Sequence, residues 1–589
     1  MWCLVVATAI LSSLSTQGEP TPLVSFDQWV NAFTSEWSGA GTSKSSAESM
    51  PDEDDPEALF RESQKARQKR RLALARKGLA GLDQFPCTSL SATQNISAAL
   101  LRWHLDTFVA SEPFADHLFV FRQLRGLHVT LVDSLTERST IRKKRDVETY
   151  LERLGRVAAQ IDEGIARARA ATDRGLIPPR FILERTQGQL RMFLKPDADQ
   201  NIFVTALAQK VADVKELDEE ARTTAVKHAA RIVTEQVRPA YVRVESLIGE
   251  LIPRSTDDAG ISQRSDGAAA YAQALASFTT TRLTAEEIHA LGLREVARLQ
   301  GEMDQLLRQL GHAEGSFDER WARVAAGTPL PANPDPRGVL IARYTEIIHD
   351  AEKRSETVFN LKPRAPIEVR RVPALTEKTA SAHYTSPPAN GSRGGVFWLP
   401  LPGPEFALTP RMRSLAYHEG VPGHHFQLAI QQEQKDLPRF RARRTFGGIS
   451  AHSEGWALYV EGLAVEQGWY EGDPIGKLGA LSSELFRAKR LVVDTGLHTK
   501  QWTRQQAIDY GIPVSEVERY VVNPGQACSY MIGMLRIVEL RETAKKALGG
   551  KFSLPAFHDV ILRTGTVPLD LLADVVNGWI ATQSKIDQP

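Results

Sequence analysis

The chain has 589 residues, of which 42% are hydrophobic and 24% charged, and its formal net charge is +1. This is the composition of an ordinary soluble globular protein with enough apolar content for a large core, and the near-neutral charge argues against nucleic acid as a partner, because a phosphate-binding surface usually brings a basic excess. The cysteines are Cys3, Cys87 and Cys528, too few for a disulfide framework or a cysteine-based zinc site.

Residues 1–18 are typical of a secretory leader. Their apolar run is too short to span a membrane comfortably and is followed by small polar residues, which predicts cleavage between about Ser15 and Gly18. Basic residues, which usually open such a leader, are missing. Export to the periplasm or the exterior is the prediction, and a buried N-terminal helix in a cytoplasmic protein is the alternative. No other stretch is apolar enough for a transmembrane helix, so no stable membrane insertion is expected.

The rest of the chain predicts a mainly α fold with two lobes. Residues 19–57 are expected to be flexible, because much of the segment is rich in Gly, Ser, Asp and Pro. Residues 58–360 are expected to form a helical lobe, continuous with a catalytic lobe at 361–589. Within the first lobe, Thr284 and Glu287 match the capping box that begins a helix.

The stretch from 362 to 401 carries the predicted strands. Val396, Phe397 and Trp398 lie in a short run bounded by glycines and a proline, which is typical of a strand. In zinc peptidases, an edge strand commonly pairs with the extended backbone of the substrate. These three residues are therefore candidates for substrate binding, and the alternative is a hairpin arm that shields the core.

The most informative segments surround His418 and Glu454. They supply imidazoles from His418 and the pair His424 and His425, a carboxylate beside the first imidazole at Glu419, and a second carboxylate at Glu454. Zinc in hydrolytic sites takes three protein ligands from His, Asp and Glu, and leaves a position for water, whose pKa falls to about 7. A neighbouring carboxylate that is not a ligand then accepts the proton, which is the role predicted for Glu419.

The spacing of these histidines departs from the familiar H-E-x-x-H pattern, in which two ligands four residues apart share a helix face. Pro422, four residues after His418, has no backbone N–H and would clash inside a regular helix, and Gly423 adds further freedom. The helix must therefore bulge or restart. A regular helix would favour His425 over His424, but the break removes that basis, so spacing leaves both open.

Later segments supply further candidates. Glu461 lies seven residues after Glu454 and is a candidate partner for a ligating histidine, or else a solvated carboxylate. Tyr530, in an apolar stretch, is a candidate donor to a tetrahedral intermediate, or else a core tyrosine. Arg536 could hold a substrate carboxylate, with Arg541 as a competitor.

Four motifs, taken in order, resemble the bacterial family catalogued as domain of unknown function 885. These motifs are Tyr417–Gln427, His452–Glu461, Val493–His498 and Pro524–Gly533. The family is grouped with gluzincin-type metallopeptidases, whose third zinc ligand is a Glu on a later helix. The resemblance therefore implies a zincin-like helical fold with a small β-sheet beside the metal cleft.

The resemblance also assigns roles to residues of this chain. It implies that His418, His424 and Glu454 bind Zn²⁺, and it favours His424 over His425. Asp494 and His498 have the i, i+4 spacing that would let them hydrogen-bond or face the cleft together. The resemblance makes His498 a candidate donor to the oxyanion, with Asp494 orienting it; the alternative is a structural pair.

The function predicted from the sequence is a zinc-dependent peptidase with Glu419 as general base and a peptide as substrate. A zinc amidase or esterase acting on small acyl compounds is the first alternative, because the same ligand set serves amides and esters. A catalytically silent metal-binding scaffold is the second. The intact Glu419 argues against the scaffold, since a protein that only binds metal needs no base there.

Overall fold

The computed structural model describes residues 24–39, 58–372, 377, 380–388, 391, 393–403 and 406–585. Helices dominate these residues and the strands are short, so the prediction of a mainly α fold is confirmed. The predicted leader at 1–18 lies outside the described residues. No helix within them combines the length and the apolar character that a membrane span requires.

The helices before the strand region are mostly long and amphipathic. They are α1 (Phe26–Trp37), α2 (Ala58–Arg61), α3 (Gln64–Leu82), α4 (Ala92–Ser111), α5 (Leu127–Thr136), α6 (Lys144–Asp173), α7 (Arg180–Leu194), α8 (Ile202–Val211), α9 (Glu219–Ile232), α10 (Arg238–Leu251), α11 (Gly267–Thr279), α12 (Ala285–Gln309), α13 (Phe317–Ala325) and α14 (Pro336–Ser355).

The strands and the remaining helices follow. The strands are β1 (Thr328–Pro329), β2 (Ile367–Arg371), β3 (His383–Thr385), β4 (Gly395–Leu399) and β5 (Ala407–Leu408). The helices after them are α15 (Met412–Glu419), α16 (His424–Glu433), α17 (Arg439–Arg443), α18 (Ser450–Glu466), α19 (Pro474–Thr499), α20 (Arg504–Asp509), α21 (Val514–Val522), α22 (Ser529–Leu548), α23 (Leu554–Thr564) and α24 (Leu569–Lys585).

The predicted helix start at Thr284 is confirmed. The hydroxyl of Thr284 accepts a hydrogen bond from the backbone N–H of Glu287, and the Glu287 carboxylate accepts one from the backbone N–H of Thr284. Two of the unpaired donors at the start of α12 are satisfied in this way. Helix starts of this kind depend on neighbours in the sequence, which is why they can be predicted locally.

The flexible segment predicted at 19–57 needs a correction where the structure describes it. Residues Phe26–Trp37 form helix α1, capped by Ser25. Its Val30 and Trp37 side chains are buried in the main core. The polar composition begins only after Trp37, so the apolar face of α1 finds partners while the remainder of that segment lies largely outside the described residues.

Two large apolar cores organise the helices. One core is formed by α5 to α10 and includes Tyr150, Phe203 and Tyr241. The other joins α1, α3 and α4 to α11 and α12 and to most helices after them. The division predicted at residue 360 does not coincide with this arrangement, because α12 and α14 bury their apolar faces in the core that carries the motif helices.

The strands predicted between 362 and 401 are confirmed, but the position of β4 in the sheet is not the predicted one. The sheet order is β2-β4-β3, with β2 parallel and β3 antiparallel to β4. Val396, Phe397 and Trp398 therefore lie on the central strand, and their backbone groups pair with both neighbours. The prediction of an edge strand at these residues is wrong, since no free edge is left for a substrate.

Candidate metal centre

The helix that begins at Met412 stops after His418 and Glu419, and a new helix starts at His424. Pro422 lies in the connection and follows a cis peptide bond. A Cβ on Gly423 would lie 2.0 Å from the carbonyl oxygen of His418, so only glycine allows this close approach. The predicted break in the helix is confirmed, and it separates the two histidines onto different helices.

Helix α18 crosses the break and is fixed to it. The indole Nε1 of the fully buried Trp456 donates a hydrogen bond to the carbonyl oxygen of Pro422 at 2.9 Å. On the other side, α18 meets α22 at Gly455 and Gly533, where a Cβ on Gly455 would lie 2.5 Å from the Gly533 backbone. These contacts bring Glu454 to the histidines, and α22 brings Tyr530 to the same region.

Three side chains converge where these helices meet. The Glu454 carboxylate oxygen Oε2 lies 3.3 Å from His418 Nε2 and 3.4 Å from His424 Nε2. A ligand atom from each of the three residues lies within 4.8 Å of the other two. Among the described residues, this is the group of His, Cys, Asp and Glu side chains that could hold a metal ion.

The donor set fits a tetrahedral divalent metal. Ligands bound to zinc at about 2.0–2.1 Å in tetrahedral geometry are separated by about 3.3–3.4 Å, as two of the observed spacings are. Glu454 Oε2 is buried and makes no well-aligned hydrogen bond with either imidazole. Close approach without hydrogen-bond geometry is the arrangement expected of ligands directed at a common cation.

Glu461 contacts the ring nitrogen of His418 that does not face Glu454. Its carboxylate, 2% exposed, accepts a hydrogen bond from His418 Nδ1 at 2.7 Å and another from the Ser414 hydroxyl. Burial alone would lower the pKa of His418, but the neighbouring carboxylates of Glu454 and Glu461 raise it to about 9. Because Nδ1 carries the proton shared with Glu461, Nε2 is directed at Glu454 and is the ring atom available to a metal ion.

Glu419 and Glu454 experience different environments in the same cleft. Burial raises the pKa of Glu419, while the imidazoles of His418 and His424 oppose the rise. Burial would also raise the pKa of Glu454, but the same two imidazoles outweigh it and hold that pKa well below the usual value. Glu419 is thus suited to accept and return a proton, and Glu454 is suited to remain an anion that could bind a metal.

His425 points away from the three converging side chains. Its Nδ1 lies 2.9 Å from the Tyr384 hydroxyl on β3, and only 1% of the residue is exposed. Burial lowers the pKa of His425 to about 4, so the ring is neutral. The structure therefore groups His424 with His418 and Glu454. His425 instead connects α16 to the sheet through its contact with Tyr384.

Tyr530 borders the site, whereas the predicted pair Asp494 and His498 does not act there. The rings of Tyr530 and His418 are nearly parallel, with centres 6.4 Å apart. His498 is fully buried: the backbone N–H of Ile261 donates to its Nδ1, and its Nε2 donates to the Tyr520 carbonyl. Both ring nitrogens are occupied by backbone, so the predicted role as oxyanion donor is wrong.

Asp494 does not orient His498 either. Its carboxylate accepts hydrogen bonds from the Tyr271 hydroxyl at 2.6 Å and from the backbone N–H of Gly525 at 3.0 Å. Burial raises the pKa of Asp494 to about 7. The predicted orienting role is therefore replaced by a structural one, in which Asp494 holds α11 and the turn that leads to Tyr530.

Arg536 forms ion pairs with acidic residues outside the site. Its guanidinium pairs with Glu539 at 2.8 Å and approaches Asp570 of α24 at 3.8 Å. Nothing in these contacts directs it to the cleft, and the predicted role in binding a substrate carboxylate is not supported. Helical spacing could not reveal this, because the competing acid Asp570 is distant in the sequence.

Sequence reasoning missed Ser414, Tyr384 and Trp456 as contributors to the site. Ser414 could have been found, because it lies four residues before His418 and so shares its helix face. Tyr384 and Trp456 act through contacts with His425 and Pro422 that no local pattern reveals.

Together, the fold and the site define a mainly helical protein in which two histidines and one glutamate from three helices form a site able to hold a metal ion. The chain belongs to the bacterial family of proteins of unknown function DUF885, whose sequence profile matches residues 51–576. No curated protein matches the chain significantly.

Two solved structures share the architecture. A protein from Colwellia psychrerythraea described as a "putative lipoprotein" is 28% identical, with a TM-score of 0.84, over 95% of this chain and all of that one. A "putative lipoprotein of unknown function" from Shewanella oneidensis is 19% identical, with a TM-score of 0.71, over 94% of this chain and all of that one. The second likeness shows the fold alone.

Proposed function

We propose that this protein is a zinc-dependent peptidase of the gluzincin type, with His418, His424 and Glu454 as the metal ligands. The observation that carries the proposal is the spacing of their ligand atoms, 3.3 and 3.4 Å about Glu454 Oε2, beside a buried carboxylate that is not a ligand. When bound, zinc supplies Lewis-acid chemistry, which activates water and polarises a carbonyl group.

The protein's own residues account for the remaining steps. Glu419 accepts the proton of the attacking water and returns it to the leaving amine, a role that its burial and raised pKa favour. Glu461 keeps His418 in the tautomer and orientation that binding requires. Tyr530, the hydroxyl-bearing side chain beside His418, donates a hydrogen bond to the oxyanion that develops on the substrate.

A peptide substrate is favoured by strand β3 rather than by β4. β3 pairs with β4 along one edge, and Tyr384 on β3 contacts His425, next to a metal ligand. An extended peptide that pairs with the other edge of β3 would lie along the cleft, which is the geometry of β-strand addition. Small esters and amides have no extended backbone to form hydrogen bonds with such an edge. The edge therefore favours a peptide substrate over small acyl compounds.

The site of action that we propose is the cell envelope or beyond. The apolar leader predicted at residues 1–18 and the description of the 28% identical relative as a "putative lipoprotein" both support export.

The decisive test separates metal binding from turnover. Metal analysis of the purified chain should give one zinc per protein, and mass spectrometry of a mixed peptide library should reveal cleavage products. Glu419→Gln should keep the zinc and lose hydrolysis, whereas Glu454→Ala should lose both. Full turnover by Glu419→Gln would contradict the proposal, as would hydrolysis confined to ester and small-amide panels.

A further inference from the structure

A buried guanidinium lies beside the proposed site and is not used by the chemistry above. Arg490 of α19 is 6% exposed, and its Cζ lies 4.3 Å from the centre of the Tyr530 ring. The same ring has its centre 6.4 Å from that of His418. Arg490 is therefore separated from a metal ligand by a single aromatic side chain.

The charges around Arg490 are unbalanced. Arg490 Nη2 and Arg519 Nη2 each bond to the same Glu516 oxygen, Oε2, at 2.9 Å, and the Tyr520 hydroxyl donates to that oxygen as well. In the described part of the chain, neither guanidinium has a second acidic partner. The buried guanidinium of Arg490 and the partly buried one of Arg519 thus share one carboxylate, which leaves an excess positive charge where desolvation is costly.

Two donors of Arg490 lack acceptors. Its Nε and Nη1 atoms are buried and make no well-aligned hydrogen bond, although the Tyr530 side chain interacts with the guanidinium. A buried charged donor without an acceptor destabilises a protein, and each such group calls for an explanation, of which a functional role is one. A carboxylate supplied from outside would satisfy both donors in the bidentate geometry that a guanidinium provides.

The positive charge continues outward along the same helix. Arg487, one turn before Arg490, also has a buried Nε without an acceptor, and its nearest acidic contact is with Glu461, 3.9 Å from Nη2. The ring of Phe486 lies under both guanidiniums, 5.8 Å from Arg487 Cζ and 4.6 Å from Arg490 Cζ. Side-chain exposure rises from 7% at Arg490 to 14% at Arg487, so the pair forms a path for an anion.

We propose that Arg490, assisted by Arg487, binds the C-terminal carboxylate of the peptide substrate and makes the enzyme a C-terminal exopeptidase. This inference rests on the proposed peptidase function and adds its substrate class. Because an extended chain advances about 3.3–3.6 Å per residue, the distance across Tyr530 suits release of one or two residues. Tyr530 covers the guanidinium, so carboxylate binding is coupled to movement of its ring.

The test uses N-acetylated peptides, each made as a free acid and as a C-terminal amide. With the zinc-loaded wild-type protein, mass spectrometry should detect removal of one or two C-terminal residues, and kcat/KM should be at least about 10-fold higher for the acid than for the amide. Arg490→Gln should raise KM for the acid about 10–100-fold and leave the amide unaffected. Equal cleavage of acid and amide by the wild type would overturn the inference.

Controls separate a specific effect from loss of structure. Arg320→Gln removes a guanidinium of α13 that is similarly buried, at 4% exposure, and also has a buried nitrogen without an acceptor, but it pairs with Asp304 on α12 instead of Glu516. This variant should not change the preference for the acid. If Arg490→Gln fails to fold, Arg487→Gln should still reduce the preference, and the wild-type comparison needs no variant. An unchanged preference in folded Arg490→Gln would overturn the assignment of this residue.

A binding measurement distinguishes failure of this inference from failure of the proposed function. Calorimetric titration of the Glu419→Gln protein with the N-acetylated tripeptide acids and amides requires no turnover. Preference for the acids without hydrolysis by the wild type would support the carboxylate site and refute the peptidase. Hydrolysis by the wild type, with equal affinity of Glu419→Gln for acids and amides, would support the peptidase and refute the carboxylate site.

Discussion

Glu461 offers the sharpest test of how the proposed zinc site is held. Its buried carboxylate accepts hydrogen bonds from His418 Nδ1 and Ser414, and Arg487 Nη2 lies 3.9 Å away. Glu461→Gln keeps the shape and one oxygen acceptor but removes the negative charge. Glu461→Ala removes the acceptor as well and leaves the Nδ1 proton of His418 without a partner.

The expected magnitude follows from this geometry. A hydrogen bond to a charged group contributes about 1.5–3 kcal/mol, and loss of a partner to a ligating histidine typically weakens metal binding by about 10–100-fold. A 10–100-fold change corresponds to about 1.4–2.7 kcal/mol, so the two figures agree. Glu461→Gln should therefore raise the zinc Kd by about 10-fold and Glu461→Ala by about 100-fold.

The assay is a competition for zinc between the protein and a fluorescent chelator, with a melting curve to verify folding. Glu466→Gln is the matched control, because Glu466 lies on the same helix but pairs with Arg541 at a half-exposed position, and its zinc Kd should equal that of the wild type. An unchanged Kd in folded Glu461→Ala would refute the reasoning, since His418 would then need no orientation to bind the metal.

Three further predictions test other parts of the structure. His424→Asn should abolish stoichiometric zinc binding while His425→Asn keeps it, because only His424 lies at Glu454; metal analysis of both distinguishes them. Gly455→Ala should lower Tm clearly, at a cost of about 1–3 kcal/mol, because its Cβ meets backbone at 2.5 Å, whereas Gly462→Ala meets only a flexible methionine at 3.3 Å and should change Tm little. Burial raises the pKa of Asp494 to about 7, above about 3.9 in the unfolded chain, so its contribution to stability is full below about pH 4 and lost as pH rises to about 7. Tm of the wild type relative to Asp494→Asn should therefore fall between about pH 4 and about pH 7, and a constant difference would contradict the shift.

Features governed by neighbouring residues could be predicted from the sequence. The capping box at Thr284 and the interruption at Pro422 both depend on backbone groups a few residues away. The resemblance to the DUF885 family, drawn from motifs alone, is likewise confirmed over most of the chain. These local signals are sufficient to locate the segments that contain His418, His424 and Glu454.

Features governed by distant partners could not be predicted. The run at Val396 has the pattern of a strand, but its central position depends on strands β2 and β3, which lie earlier in the chain. His498 has a spacing suited to a cleft, yet the backbone groups of Ile261 and Tyr520 occupy its ring. No sequence pattern singles out Arg490, because the residues that surround its guanidinium come from α21 and α22.

Helix α18 explains why three helices can build one site. Glu454, Trp456 and Glu461 all lie on it, and each reaches the interrupted α15–α16 segment at a different point: the ligand atoms, the Pro422 carbonyl and His418 Nδ1. The last two contacts are protein-only hydrogen bonds between buried groups. These contacts therefore fix the positions of His418 and Glu454 without a metal ion. Because the site is preorganised, little of the free energy of metal binding is lost to ordering the side chains.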